Sequence, residues 1–255
     1  MPLSMVGRRR EKTPVLILDL DGTVLSENSF PRWALHLVRA RFPHLRAPRR
    51  WRISATAVAM IAVRKLRLMS HDWLKWRLQA LWQIATAGDG GAAERDIVQE
   101  LIGIVRPELA PVLGAVAACR VDAILATAAP EDYADGLGCR LGFADVLATR
   151  CGRLKPSPDN SGPYKRDAVM RLIVGRGWLE RPRILFTDHV DDIPLMRVCQ
   201  TIYWFGPDSG LAAIMQAVPS AVLRDGRRDF FPIEALALSA GTRSVRPASL
   251  VYKSV

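Results

Sequence analysis

Asp19 and Asp21 stand two residues apart in Asp19-Leu20-Asp21-Gly22-Thr23, directly behind the apolar run Val15-Leu16-Ile17-Leu18. Asp is depleted from strands, and two anions this close repel each other unless a cation or a proton lies between them. A bound divalent metal is the simplest remedy. The alternating period of a strand would send both side chains to one side, and Gly22 then lets the chain turn sharply away. With such a pair, one carboxylate can attack an electrophile while the other moves the proton. The same five residues also suit an Asx-turn with two solvated carboxylates at a strand end.

At these residues the chain resembles the haloacid dehalogenase-like hydrolases, whose first motif is four apolar residues followed by Asp-x-Asp-Gly-Thr. Val15 to Thr23 match it without a departure. The resemblance implies that Asp19 is a nucleophile forming an aspartyl-phosphate and that Asp21 is the general acid and base. Within that superfamily an Asp at the second position goes with phosphatases and phosphomutases and a Thr with transport ATPases, while the dehalogenases lack this acid. This chain carries the phosphatase version.

Three further segments fall in the order and at the spacing that the resemblance demands. Thr127 ends the apolar run of Val121 to Ala126, ahead of a helix start, where its hydroxyl beside free backbone N–H groups suits a phosphoryl oxygen. Thr at a strand end is also ordinary. Lys165 opens an apolar-periodic helix (Ala168, Val169, Leu172, Ile173) and would neutralise charge on the nucleophile and on a transferring phosphoryl group. Lys155, in a Pro-rich loop, competes for that role, and either lysine could be a solvated surface charge. Ile184 to Leu195 is similar to the family's Gly-Asp-Ser-x-x-Asp-x-Pro pattern, with Asp188 and Asp192 on its acidic positions. The resemblance implies that Asp188 binds a metal directly and that Asp192 completes or braces its shell; oxygen ligands and retained waters point to Mg²⁺. Thr187 replaces the Gly and His189 the Ser, and Asp191 is an extra acid. No second His or Cys accompanies His189 at ligand spacing.

These residues need a scaffold, and the sequence supplies one. Apolar runs at 15–18, 121–126, 184–187 and 201–205 alternate with helical patterns, which predicts a doubly wound, Rossmann-like parallel sheet with helices on both faces, an α/β fold. The carboxyl ends of such strands gather in one crevice, and Asp19, Thr127 and Asp188 all lie at such ends. At 255 residues and 49% hydrophobic content the chain can fill a core. Residues 151–163, with Gly152, Pro156, Pro158, Gly162 and Pro163, read as a long irregular loop, and the stretch after about Ala240 reads as a weakly structured tail.

Between the first two motifs the pattern is helical, where one group of phosphatases in this superfamily carries an inserted α-helical cap. The expected organisation is a catalytic core of residues 1–26 and 119–255 with a cap at 27–118. Ser70 is placed as the cap of a helix running through Trp73, Leu74, Arg77, Leu78, Leu81 and Ile84, ended by Gly88-Asp89-Gly90-Gly91, with another helix from Ala92 to Val105.

Charge is concentrated in that cap. Pro31 to Arg77 hold twelve Lys or Arg against the lone acid Asp72, so this stretch carries the whole formal net charge of +11. Trp33, Trp51, Trp73, Trp76 and Trp82 interleave with the cations, as does the apolar run Ile53 to Val63, which is too short to span a bilayer. Three readings stay open: a packed cap with solvated arginines, a cap lying on an anionic membrane and acting on a lipid or prenyl phosphate, and a nucleic-acid grip, for which no binding motif is present. Outside the motifs the chain is loosely similar to bacterial phosphatidylglycerophosphate phosphatases and to the phosphatase-like domains of some prenyltransferases.

Cys119, Cys139, Cys151 and Cys199 show no Cys-x-x-Cys spacing. Arg8-Arg9-Arg10 precede an apolar run that Asp19 and Asp21 cut too early for a secretion signal. A reduced, cytoplasmic setting is expected, with peripheral contact at the cytoplasmic face of the membrane as an extension. Oligomeric state is open. The reading is a Mg²⁺-dependent phosphomonoesterase in which Asp19 attacks phosphorus, Asp21 moves protons, and Thr127 and Lys165 hold phosphoryl oxygens. Asp19, Asp188, the backbone carbonyl of Asp21 and the brace of Asp192 form the metal site. The alternatives are a soluble-metabolite phosphatase or phosphotransferase of the same fold, and a non-catalytic protein that binds anionic membranes.

Overall fold

A computed structural model describes residues 13–229 and 231. Arg8 to Arg10 and the segment after Ala240 lie outside the described residues. Six parallel strands form one sheet: β1 (Val15–Leu18), β2 (Asp122–Pro130), β3 (Asp145–Thr149), β4 (Arg183–Thr187), β5 (Thr201–Trp204) and β6 (Val222–Asp225), in the order β3-β2-β1-β4-β5-β6. β1 is wholly buried, as a central parallel strand covered on both faces must be. Its period of two sends Leu16 and Leu18 into one apolar cluster with Leu125 and Phe186, and Val15 and Ile17 into a second with Ile124, Val169 and Ile173. The expected doubly wound sheet is therefore present. β3 and β6 add an edge at each side that the apolar runs did not announce.

The helices between β1 and β2 are α1 (Phe30–Val38), α2 (Ala47–Lys65), α3 (His71–Thr86), α4 (Ala92–Ile102) and α5 (Ala110–Ala117). Ser70 Oγ accepts from Trp73 N at 3.2 Å and so caps α3 as its sequence implies. Asp89, within the Gly-rich break, caps the next helix by accepting from Gly91 N and Ala93 N. α4 stops at Ile102 rather than Val105, because Val105 pairs with Leu25 and Arg106 N donates to Val24 O. The helices after β2 are α6 (Glu131–Arg140), α7 (Gly162–Gly175), α8 (Ile193–Met196) and α9 (Leu211–Ala217). α7 begins where the 151–163 loop was expected to end.

α3 is buried at Leu74, Lys75, Leu78, Gln79, Trp82 and Ala85, one helical face at spacings of three and four. Its apolar members join Trp33 and Tyr133 in the cluster that covers one side of the sheet, so the helical insertion and the sheet share a continuous core. Polar ties cross the same seam. Lys75 Nζ donates to Ala128 O and to Asp159, Trp76 Nε1 to Gly152 O, Ser29 and Tyr133 hydroxyls meet at 2.7 Å, and Gln79 Nε2 donates to Asp132 Oδ2 at 3.0 Å and to Thr149 O.

Burial lifts the Asp132 carboxyl to about 6, opposed by the Gln79 amide and helped by the neighbouring Glu131. A folded-state value above the unfolded one means that the folded chain holds this proton more tightly. The group therefore favours folding at low pH, and that contribution is lost as pH climbs through about 6. Asp132→Asn keeps an acceptor for Gln79 and removes the buried charge. Urea denaturation is expected to show the variant about 1–2 kcal/mol more stable than the parent near pH 7.5 and indistinguishable near pH 4. A variant less stable near pH 7.5 and unchanged near pH 4 would show that the ionised carboxylate is needed at the seam.

Candidate active site

Strand β1 ends at Leu18, so Asp19 and Asp21 are directed by the tight turn Leu20–Val24 rather than by strand alternation. Gly22 takes φ +71, a left-handed conformation that a side chain would strain, and a Cβ there would lie 1.9 Å from Asp188 Oδ2. That contact brings the residue after β4 against the turn after β1, across the point where strand order reverses.

Asp19, buried, receives Lys165 Nζ on Oδ1 at 3.0 Å. The same ammonium reaches Asp192 Oδ1 at 2.8 Å and Oδ2 at 2.9 Å, and Thr187 Oγ1 donates to Asp192 Oδ2 at 2.6 Å. Lys165 is 3% exposed, so a cation, two carboxylates and a hydroxyl form one buried unit. Both Asp192 oxygens are engaged with Lys165, which makes the residue a brace for the lysine. The competing Lys155 is exposed in the loop and touches none of these groups. His189 sits at the rim, paired with Asp191.

Asp21 points elsewhere: its Oδ1 accepts from Ser29 N at 2.7 Å, one residue before α1. Thr127 is 1% exposed, at a register shift in the β2–β3 pairing, and its Oγ1 accepts from Ala129 N. Such a bulge frees backbone groups beside the crevice. Asp188 receives Thr23 Oγ1 at 3.4 Å. The structure thus gathers Asp19, Lys165 and Asp192 in direct contact, sets Asp188 against the Gly22 turn, and holds Asp21 through the start of the insertion.

Three residues escaped the sequence reading. Arg106 donates from Nη2 and Nε to Gly22 O, fixing the turn from outside. Asn160 Nδ2 donates to Thr127 O and Leu147 O, tying the ends of β2 and β3 together. Lys75 comes from the insertion to the carbonyl after Thr127. Each partner lies at least 13 residues away in sequence, so no local spacing signals it.

Burial lifts the Asp19 carboxyl to about 7 against the pull of Lys165, and it raises Asp21 and Asp188 as well. Burial works against the Lys165 charge, but Asp19 and Asp192 overcome it and hold its pKa above the ordinary lysine value. Lys165 touches Asp19 and Asp192 alone, and burial still raises Asp21 and Asp188 against the pull of Lys165, with Lys75 also acting on Asp21. The surplus of hard oxygen donors at the turn would suit a divalent cation, with Asp19 and Asp188 as carboxylates that could hold it together with water. Among the described residues no three His, Cys, Asp or Glu side chains form a closed metal cage.

The chain matches the profile of the haloacid dehalogenase-like hydrolases over residues 16–197. No curated protein sequence matches it. Among solved structures, a protein of unknown function from Bordetella pertussis Tohama I is similar at a TM-score of 0.63 and 17% identity, over 84% of this chain and 99% of its own. A probable phosphoserine phosphatase from Vibrio cholerae gives 0.55 and 10% identity, over 90% of this chain and 65% of its own. A HAD family hydrolase from Salmonella enterica serovar Typhi gives 0.50 and 10% identity, over 89% and 71%. These likenesses are likenesses of fold.

Removing the shared cation tests the buried unit. Lys165→Met is expected to lower the unfolding free energy by about 3–5 kcal/mol near pH 8, because Asp19 and Asp192 are then buried without a counter-charge. The loss should shrink near pH 5, where the Asp19 carboxyl takes up its proton. Equal losses at both values in denaturant titrations would mean that the lysine's packing, not its charge, is what matters.

Proposed function

The chain belongs to the haloacid dehalogenase-like hydrolase family, and from that membership we propose that it is a phosphomonoesterase working through an aspartyl-phosphate on Asp19. The observation that carries this reading is the buried contact of Lys165 with Asp19 and Asp192, beside the turn that carries Asp21 and sits against Asp188.

In this mechanism an Asp19 carboxylate oxygen attacks phosphorus in line and the bond to the ester oxygen breaks. Lys165 favours the ionised form of the attacking group against its burial and, with Thr127, holds phosphoryl oxygens. Asp21, oriented by Ser29 N, gives its proton to the departing alkoxide, then takes one from the water that cleaves the aspartyl-phosphate. Asp192 and Thr187 keep Lys165 in place, so they position rather than react. Mg²⁺, held by Asp19, Asp188 and the Asp21 carbonyl, would when bound offset the charge on the transferred group. The helices of residues 27–118 act as the cap that excludes water and selects the leaving group.

Lipid-borne and soluble monoesters share this chemistry, and a substrate panel separates them. Phosphate release from soluble metabolites, nucleotides and micellar lipid or prenyl phosphates, with and without Mg²⁺, is expected to show metal-dependent turnover. Asp19→Asn should lower it by about a thousandfold or more while the variant still folds with a cooperative thermal transition. Product formation that depends on an added alcohol would assign phosphotransfer instead. Full activity in Asp19→Asn would sink the mechanism.

A further inference from the structure

α2 has two faces, and only one of them packs. Across its nineteen residues Ile53 and Ala57 alone are buried, against α1 and α3. On the far side Trp51, Ala55, Val58, Ala62 and Leu66 follow at spacings of four, three, four and four, one continuous stripe of a helix about 28 Å long. All five are exposed, Trp51 by 73% and Leu66 by 69%. Leu68, at 76%, and Trp73, at 44%, extend the apolar surface beyond the helix end.

Cations border this stripe. Arg50, Arg52, Lys65 and Arg67 are exposed, and none has an ion-pair partner among the described residues, while Arg49 reaches back to Ile84 O of α3. The ion pairs that the segment does make belong to Arg32, His36, Arg41 and Lys75, all turned toward the rest of the chain. We propose that the outer face of α2 is a docking surface for an anionic lipid bilayer. Trp, Val and Leu enter the boundary between headgroups and acyl chains while the flanking arginines meet lipid phosphates.

The chemistry of the face selects this occupant. A nucleic acid would reward the arginines but leave the Ala, Val and Leu stripe in water. A second copy would bring two surfaces of the same strong positive charge together. A bilayer rewards both parts at once. No helix among the described residues is long and apolar enough to cross a membrane, and α2 would lie along the surface. This surface is separate from Asp19 and its partners, and the proposal holds whether or not Asp19 acts on phosphate.

Co-sedimentation of the full chain with vesicles decides it. The chain is expected to pellet with phosphatidylcholine vesicles containing roughly a third phosphatidylglycerol and to stay in solution with phosphatidylcholine alone, with binding weakened about tenfold between roughly 0.1 and 0.5 M salt. Trp51→Ser with Leu66→Ser, and separately Arg50→Glu with Arg52→Glu, should each weaken partitioning about tenfold, while Asp19→Asn binds like the parent. Circular dichroism and a cooperative melt verify that each variant folds; should the Trp51 and Leu66 pair fail, Leu68→Ser takes its place. Equal binding to neutral vesicles, no binding at all, or variants that bind like the parent overturn the proposal. So does self-association in the absence of lipid that the Trp51 and Leu66 changes abolish, or binding to a single-stranded oligonucleotide that outcompetes the vesicles.

Discussion

A single ammonium, Lys165 Nζ, lies between the carboxylates of Asp19 and Asp192 in a place with almost no access to water. Desolvating three ions costs several kcal/mol each, and their mutual attraction does little more than offset that. The unit therefore does not hold the fold together; the fold holds the unit. Apolar packing supplies the work, because Val169 and Ile173 of α7 lie in one cluster with Ile17 of β1, Leu185 of β4 and Leu195 of α8. The cluster fixes the helix that carries the lysine, the strand that leads to Asp19, and the segment beyond β4 that carries Asp192. A sheet with both faces covered is the condition for placing both carboxylates within 3.0 Å of one ammonium.

The helical insertion is joined to this core by two kinds of contact of different strength. Trp33, Trp82 and Tyr133 pack ring against ring within the shared apolar cluster, with centroids 5.7 and 5.8 Å apart, and pulling them apart exposes large surfaces. The polar ties of Lys75, Trp76 and Gln79 each exchange for water at a net cost of about 1 kcal/mol. Lys75 is the exception among them, since a buried ammonium that leaves Asp159 must find another anion or water. The seam is thus firm on its apolar side and negotiable on the side that faces Thr127.

The sequence was most legible where chemistry and local geometry coincide. Asp-x-Asp-Gly-Thr needs its glycine because of the turn it makes, and Lys165 stood out because an apolar helix begins around it. β1, β4 and β5 were visible as apolar runs. β3 was not, because Asp145-Val-Leu-Ala-Thr149 is only half buried and its outer residues are polar; β6 was not, because its edge faces solvent. Arg106, Asn160 and Lys75 were illegible for a different reason. Each serves a backbone carbonyl far away in the chain, and a carbonyl leaves no mark in an amino-acid sequence.

Composition alone also could not divide the tryptophans and arginines of residues 31–77. Helical phase does: Trp33 is buried in the core, while Trp51 stands on the face of α2 opposite Ile53 and Ala57. A nineteen-residue helix that buries two side chains gains little from packing, and it carries its cations in a stretch, Pro31 to Arg77, whose lone acid is Asp72. Self-repulsion among such charges falls when an anionic surface takes their field, and the exposed Trp, Val and Leu gain only when the same surface has hydrocarbon beneath it. The two disadvantages of α2 in water are removed together by one environment, which is why the charge and the apolar stripe belong to a single account.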